Sequence, residues 1–398
     1  MNRAWISQSG LYDNIARIRR MVPTGCRVAA VIKGDAYGHG LDVVAVAMEM
    51  CPDIDMLVVS SLEEAMSVLG AVVRKPILIL NRVFSDTIDE ALMRLEEEER
   101  IRFIRQCIFS AYRWEDIVSM QRLSGKYGQA FSLHVRLDFS SGMRGMNRQQ
   151  FAKFQELVYG ISDVNIGGLY AHVYSAYTDD TAAARDIREY AAIFDAIPEK
   201  IRRKFVIHLL SSVSFYRFPE ACYDMVRIGA IMYGLPVEEE EEDPHFPPAP
   251  KVEPVMSIRA EVVNIADVGQ GSRVDYDGYL PSEVERVALV SMGNWDIPGF
   301  FTTRANRTGK QEYPISGDIS GRCVRIREHL CRVVGSPCMD TFCVDISGLS
   351  DVAPGDEVRI LGNEEGIRLE DWLRHAGLDF GNCQMLFSGM GRLVKQLH

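Results

Sequence analysis

No stretch of about twenty consecutive apolar residues occurs in this chain, so its sequence offers no candidate membrane-spanning helix. Positive charge is in deficit. The 44 lysines and arginines face 55 aspartates and glutamates, giving a net charge of −11 and a pI near 5.3. That balance argues against nucleic acid or an anionic membrane as the main partner. The nine cysteines include no Cys-x-x-Cys pair, which leaves neither a zinc spacing nor a disulfide framework, and no metal site is expected. Reduced thiols in a cytoplasmic protein are the simpler expectation. The first residues, Met1-Asn2-Arg3-Ala4-Trp5, lack the apolar core of a signal peptide. No Gly-x-Gly-x-x-Gly turn follows the first apolar run, which disfavours an open dinucleotide-binding sheet. No internal repeat is present.

What the chain has is length and rhythm. Its 398 residues leave room for two or three domains, and 47% hydrophobic with 25% charged residues is ordinary for a globular protein. Leu11, Ile15, Ile18 and Val22 lie at helical spacing. Short apolar runs follow at Cys26–Ile32, Met56–Ser60, Pro76–Leu80, Gln106–Phe109, Phe131–Leu137, Ile166–Val173, Phe205–Leu210 and Asp224–Ile228. Amphipathic segments separate most of them, such as Leu62–Leu69, Trp114–Gln121 and Ala182–Ile197. Eight strands alternating with helices predict a closed (β/α)8 TIM barrel over residues 1–240. The acidic run Glu238–Asp243 and four nearby prolines predict a solvated linker, set at 241–250. Beyond it, Val255–Ile265, Arg286–Met292, Leu330–Val334, Phe342–Ile346 and Glu357–Leu361 are strand-like, predicting a smaller, mostly β C-terminal domain over 251–398.

The chemistry gathers where such barrels keep it, at the C-terminal ends of strands. Lys33 ends the first apolar run, inside Val31-Ile32-Lys33-Gly34-Asp35-Ala36-Tyr37-Gly38-His39-Gly40. A lysine in water has a pKa of about 10.4 and is a poor nucleophile. At the mouth of an apolar strand it can be desolvated and so suited to Schiff-base chemistry with an aldehyde. Arg136 and Asp138 end the fifth run, His172 the sixth and Arg227 the eighth. Ser211 and Ser212 follow the seventh run, and Gly229 and Ala230 the eighth. Hydroxyls and backbone N–H groups in those last two loops suit a phosphate. A Schiff-base lysine and a phosphate cradle in one barrel mouth imply pyridoxal 5′-phosphate (PLP).

Ala36-Tyr37-Gly38-His39-Gly40 resembles the lysine motif of the alanine racemase family. Tyr170-Ala171-His172-Val173, Met225–Leu235, Val274-Asp275-Tyr276 and Gly335-Ser336-Pro337-Cys338-Met339-Asp340 resemble further motifs of that family, in the same order. The resemblance implies a PLP-dependent amino-acid racemase that works as a head-to-tail homodimer. It implies that Lys33 holds PLP and is one base, and that Tyr276 is the opposite base, supplied across the dimer, with His172 behind it. Arg227, supported by His208, would face the pyridine nitrogen. Tyr37, Ser211, Ser212, Gly229 and Ala230 would surround the phosphate. Met339 would line the site of the substrate carboxylate. The family arginine that touches PLP and substrate is either Arg144 or Arg148, and Arg144, which follows Gly142-Met143, is favoured.

The departures from the family cluster at the pocket. Arg136 stands in place of a lysine that some members carbamylate, and Ser211 in place of an asparagine. Asn294 stands where the family has a tyrosine that walls the substrate entrance, and Cys383 where it has a phosphate-side tyrosine, both at the inner gate. A small-molecule amino-acid substrate is expected, whether alanine, serine or a larger polar amino acid. Two alternatives stay open at this level, a PLP-dependent decarboxylase and a non-catalytic module that binds PLP or an amino acid.

Overall fold

The computed structural model describes residues 2–70, 73–177, 179–235, 249–269, 271–274, 278–302, 321–378 and 386–398. Most of the expected linker, together with Tyr276 and Cys383, lies outside them.

The chain begins with β1 (Arg3–Ile6) and a helix over Gln8–Met21, which buries Leu11, Ile15 and Ile18 as the helical spacing predicts. Eight parallel strands follow: β2 (Arg27–Val31), β3 (Met56–Val59), β4 (Ile77–Ile79), β5 (Cys107–Ala111), β6 (Phe131–Arg136), β7 (Val164–Tyr170), β8 (Val206–His208) and β9 (Met225–Ile228). They pair in chain order, and β9 returns to β2 with Ala29 opposite Arg227. A parallel bridge from Ser211 to Arg227 and the Arg227 N–H bond to the Leu210 carbonyl, 3.1 Å, join the β8 end to β9 and close the ring. The expected barrel is present.

Alternation along each strand decides what each side chain meets. Val28 and Ala30 of β2 face the helical layer, while Ala29 and Val31 pack inside with Met56, Val58, Leu78 and Met225. Phe131, Leu133 and Val135 of β6 likewise join the outer core, which turns His134 and Arg136 inward. Val226 and Ile228 do the same for β9 and turn Arg227 inward. The barrel thus has an apolar floor of small and branched residues under a polar upper layer.

The second unit is all-β apart from short helices. β10 (Met256–Asp267), β13 (Arg286–Val290), β14 (Cys323–Ile326), β15 (His329–Val334), β16 (Phe342–Asp345) and β17 (Glu357–Leu361) run in the order β13-β16-β15-β14-β17-β10, and β10 pairs back to β13. A hairpin of β11 (Arg273–Val274) and β12 (Gly278–Tyr279) stands apart. β1 does not join the barrel. It pairs antiparallel with β10 and parallel with β18 (Val394–Leu397), so both described ends of the chain lie in the second sheet. No helix among the described residues is long and apolar enough to cross a membrane.

Candidate active site

Lys33 leaves β2 into an unusual turn. Gly34, Asp35, Ala36 and Tyr37 all have left-handed backbone, with φ of 64°, 54°, 53° and 56°. Such a conformation costs a non-glycine residue roughly 1–2 kcal/mol. The surrounding structure holds it in place. Gly34 N–H donates to Glu64 Oε1 at 2.6 Å, and Leu41 N–H donates to Asp35 Oδ1 at 2.8 Å. Lys395 Nζ pairs with Asp35 Oδ2 at 2.9 Å. His39 is buried with Nδ1 3.1 Å from the carbonyls of both Ala36 and Tyr37, so Nδ1 carries the donating proton. Its ring stacks on Tyr233 at 4.5 Å, and burial lowers its pKa to about 4. The histidine of the motif is thus a clamp on the turn. The turn aims Tyr37 back across the mouth, 5.3 Å from the Tyr233 ring. Burial also lowers the pKa of Lys33, and the cation of Arg136 lowers it further.

Beneath Lys33 lies a buried basic column. Arg227 Nη1 lies 2.6 Å from His208 Nδ1, and Nη2 donates to the carbonyls of Ala171 at 2.7 Å and Leu209 at 3.1 Å. His208 Nε2 lies 2.9 Å from His134 Nδ1. Burial pushes His134 down to about 3 and His208 well below its usual value, with Arg227 adding repulsion in both cases. Tyr170 lies flat on His208, ring centroids 4.8 Å apart. Burial lowers Arg227 to about 10, still a cation at neutral pH.

A second group converges from the loops after β8 and β9. Ser212 Oγ accepts the Gly229 N–H at 2.9 Å. Ser211 Oγ is buried without a hydrogen-bond partner among the described residues. A Cβ added at Gly229 would stand 2.6 Å from Tyr37 Oη, so only glycine lets backbone and phenol approach this closely. The result is a pocket of neutral donors with one orphaned hydroxyl, which fits the phosphate of PLP. Ala230 follows at the start of a 3-10 turn, partly buried, and does not line the cavity.

The loop after β6 is organised by Asp138. Its carboxylate accepts from Ser140 Oγ at 2.8 Å, Ser141 N at 3.1 Å, Ser141 Oγ at 2.7 Å and Arg144 N at 3.0 Å. Burial raises its pKa, but these bonds outweigh that and hold it well below the carboxylate range. The loop sets the Arg144 guanidinium over the Tyr174 ring at 5.2 Å. Arg148 turns away to Glu189, 2.9 Å distant. Of the two arginines, only Arg144 reaches the site.

One cavity of about 460 Å³ joins these parts. Lys33, Tyr37, Arg144, His172, Ser211, Ser212, Arg227 and Gly229 all line it. His172 meets Tyr174 edge-on at 4.5 Å, and burial together with Arg227 keeps it neutral. Met339 and Asn294 are not brought there in this chain. They lie together on the second unit, with Asn294 N–H bonded to the Cys338 carbonyl at 2.8 Å and Trp295 N–H to the Met339 carbonyl at 2.8 Å. Trp295 is 58% and Met339 56% exposed. Tyr112 and Tyr174 line the cavity without having been singled out from sequence, and so does Tyr170, which was named only as the start of the His172 motif. Each ends a strand or follows one closely, and that position is the signal that could have found them. Among the described residues no cluster of His, Cys, Asp or Glu could hold a metal ion.

Comparison with known proteins matches this geometry. Residues 6–236 match the family description "Alanine racemase, N-terminal domain" and residues 255–380 match "Alanine racemase, C-terminal domain". The alanine racemase of Nostoc sp. is 26% identical over 380 residues, 93% of this chain and 90% of that protein. The alanine racemase of Methanococcus maripaludis is 26% identical over 381 residues, 93% of this chain and 91% of that protein. Among solved structures, alanine racemase from E. faecalis superposes with a TM-score of 0.80 at 20% identity, covering 100% of this chain and 98% of that one. The Clostridium difficile 630 alanine racemase complex with cycloserine superposes with a TM-score of 0.77 at 22% identity, covering 97% and 93%. At such identity these structures speak to the fold.

Proposed function

The chain belongs to the alanine racemase family, and from that premise we propose that its barrel mouth interconverts the L and D forms of an amino acid by a two-base mechanism, with Lys33 on one face and Tyr276 on the other. The family is PLP-dependent, and the enzyme is an isomerase. The observation that carries the reading is one cavity holding a desolvated lysine, a donor-only arginine and a phosphate-type cradle.

When bound, PLP supplies the electron sink that makes the substrate Cα–H acidic. Lys33 would hold it, Arg227 would face its ring nitrogen, and Tyr37, Ser211, Ser212 and Gly229 would hold its phosphate. Arg227 only donates hydrogen bonds, so a ring nitrogen opposite it accepts and stays unprotonated. That tempers the sink and disfavours transamination. Lys33 Nζ, with its pKa lowered by burial, takes or gives the proton on one face of Cα. Tyr276 Oη serves the other face, so the substrate need not turn over. Arg144 holds the substrate carboxylate.

Tyr276 belongs to the second unit and would come from a partner subunit in a head-to-tail dimer. Supporting this are the exposed Trp295 and Met339, adjacent apolar side chains on a unit whose described site residues, Asn294 and Met339, do not line the cavity of their own chain. The test is incubation of the PLP-loaded protein with single L-amino acids in D2O. Deuterium at Cα together with the D enantiomer supports the reading. Release of CO2 indicates decarboxylation, and an unchanged panel indicates a binding module.

A further inference from the structure

Arg136 is only 8% exposed, yet it has no carboxylate partner among the described residues. It donates to Tyr112 Oη at 2.8 Å, Tyr174 Oη at 2.7 Å and the Leu80 carbonyl at 3.4 Å, all neutral acceptors. Two acids on neighbouring strand ends and helices are already committed. Asp138 is saturated by its own loop, and Glu64 binds Gly34 and Ser60. The cavity as a whole repeats the imbalance. Lys33, Arg136, Arg144 and Arg227 line it, and no Asp or Glu does so among the described residues. A buried cation without an anion is costly, and the usual resolution is a bound anion.

The other anions expected here are assigned to other groups. The phosphate-type cradle is built on the loops after β2, β8 and β9. β6, which carries Arg136, stands opposite β2 in the ring of eight. Arg144 is assigned to the α-carboxylate. Arg136 is therefore the cation left over, held rigid by two phenols. Tyr112 is itself fixed, its O–H donating to the Leu80 carbonyl at 2.9 Å. The Tyr174 O–H has no acceptor among the described residues and is free to donate into the cavity. A guanidinium with a phenol beside it is a carboxylate receptor.

We propose that Arg136 and Tyr174 recognise an anionic side chain, and that the preferred substrate is an amino acid with a side-chain carboxylate, of the aspartate or glutamate class. This inference rests on the racemase reading above and narrows it. Arg136 acts as the specificity residue, while the chemistry at Cα is unchanged.

The test is a panel of L-aspartate, L-glutamate, L-alanine and L-serine on the PLP-loaded enzyme, read by α-deuterium exchange. An acidic member should exceed alanine at least tenfold in kcat/KM. Arg136→Gln should raise KM for that member at least tenfold with a smaller change in kcat, and Arg136→Lys should restore part of the loss. Should the variants fold poorly, calorimetric titration of the unaltered holoenzyme with glutarate and butyrate serves instead. Glutarate binding at least tenfold tighter supports the proposal, and equal binding overturns it. Turnover of alanine or serine with none of the acids overturns the inference and leaves the racemase reading standing. Exchange with no amino acid overturns both. An acidic preference that survives Arg136→Gln overturns the role of Arg136. A dependence on added chloride with no competition from glutarate makes the counterion an inorganic anion and overturns the substrate assignment.

Discussion

Arg227 Nη1 lies 2.6 Å from His208 Nδ1, and because a guanidinium can only donate, that imidazole nitrogen is the unprotonated one. The proton of His208 is then on Nε2, from which it donates to His134 Nδ1, 2.9 Å away. His134 in turn carries its proton on Nε2. One arginine thus fixes the tautomers of two buried histidines and is oriented by them in return. Protonating either histidine would set a donor against a donor, which is the geometric counterpart of their lowered pKa values.

Acid should therefore unfold the barrel early. An unfolded histidine binds a proton below about pH 6.5. The folded values are lowered, to about 3 for His134, to about 4 for His39, and well below normal for His172 and His208. A depressed folded value means the contribution is present above the unfolded pKa and lost as pH falls towards the folded one. Each such histidine should remove about 1.4 kcal/mol of stability per pH unit below roughly 6.5. The urea midpoint of the cofactor-free protein should fall steeply between about pH 6.5 and 5. A flat midpoint across that window would contradict the buried, neutral assignment.

Packing around the same pair gives a second expectation. A Cβ at Gly168 would stand 2.6 Å from three atoms of the His134 ring, whereas one at Gly167 would meet nothing nearer than 3.9 Å. Gly168→Ala should cost about 1–3 kcal/mol by overpacking. Gly167→Ala should be close to neutral. Urea unfolding of the two variants side by side checks this, and equal midpoints would show that the histidine moves aside freely.

The barrel was legible because apolar runs and period-two alternation are local signals, and all eight strands follow from them. β1 was not. Its four residues gain their place by pairing with β10 and with β18, both distant along the chain. The lining of the candidate site was legible at strand ends or just after them, at Lys33, His172, Ser212 and Arg227. Arg136 was legible in the same way at the end of β6, whereas its inward neighbour His134, two residues earlier, was not because it sits mid-strand. The left-handed turn after Lys33 looks like an ordinary glycine loop. Its conformation comes from His39 of the motif and from Glu64 and Lys395, and no local pattern connects the last two to it.

Shared sites make a third expectation. Lys33→Ala and Tyr276→Phe protomers should each be inactive alone, and mixing them with subunit exchange should restore part of the racemase activity. A fully active monomer in sedimentation and activity assays would contradict the composite site.

The entrance residues give a fourth. Asn294 and Cys383 stand where the resemblance expects tyrosines, and one methylene in an apolar pocket is worth about 1–3 kcal/mol of discrimination. The double change Asn294→Tyr with Cys383→Tyr should shift kcat/KM towards alanine by about tenfold or more. An unchanged ratio across the substrate panel would show that other groups set the entrance.

Everything turns on Lys33, the partly desolvated amine that lines the cavity. The direct measurement is borohydride reduction of the PLP-loaded protein, followed by proteolysis and mass spectrometry of the labelled peptide. The cofactor should be fixed on Lys33, with no fixation in Lys33→Ala. Cofactor attached to any other lysine, or a loaded protein from which borohydride fixes nothing, would contradict it.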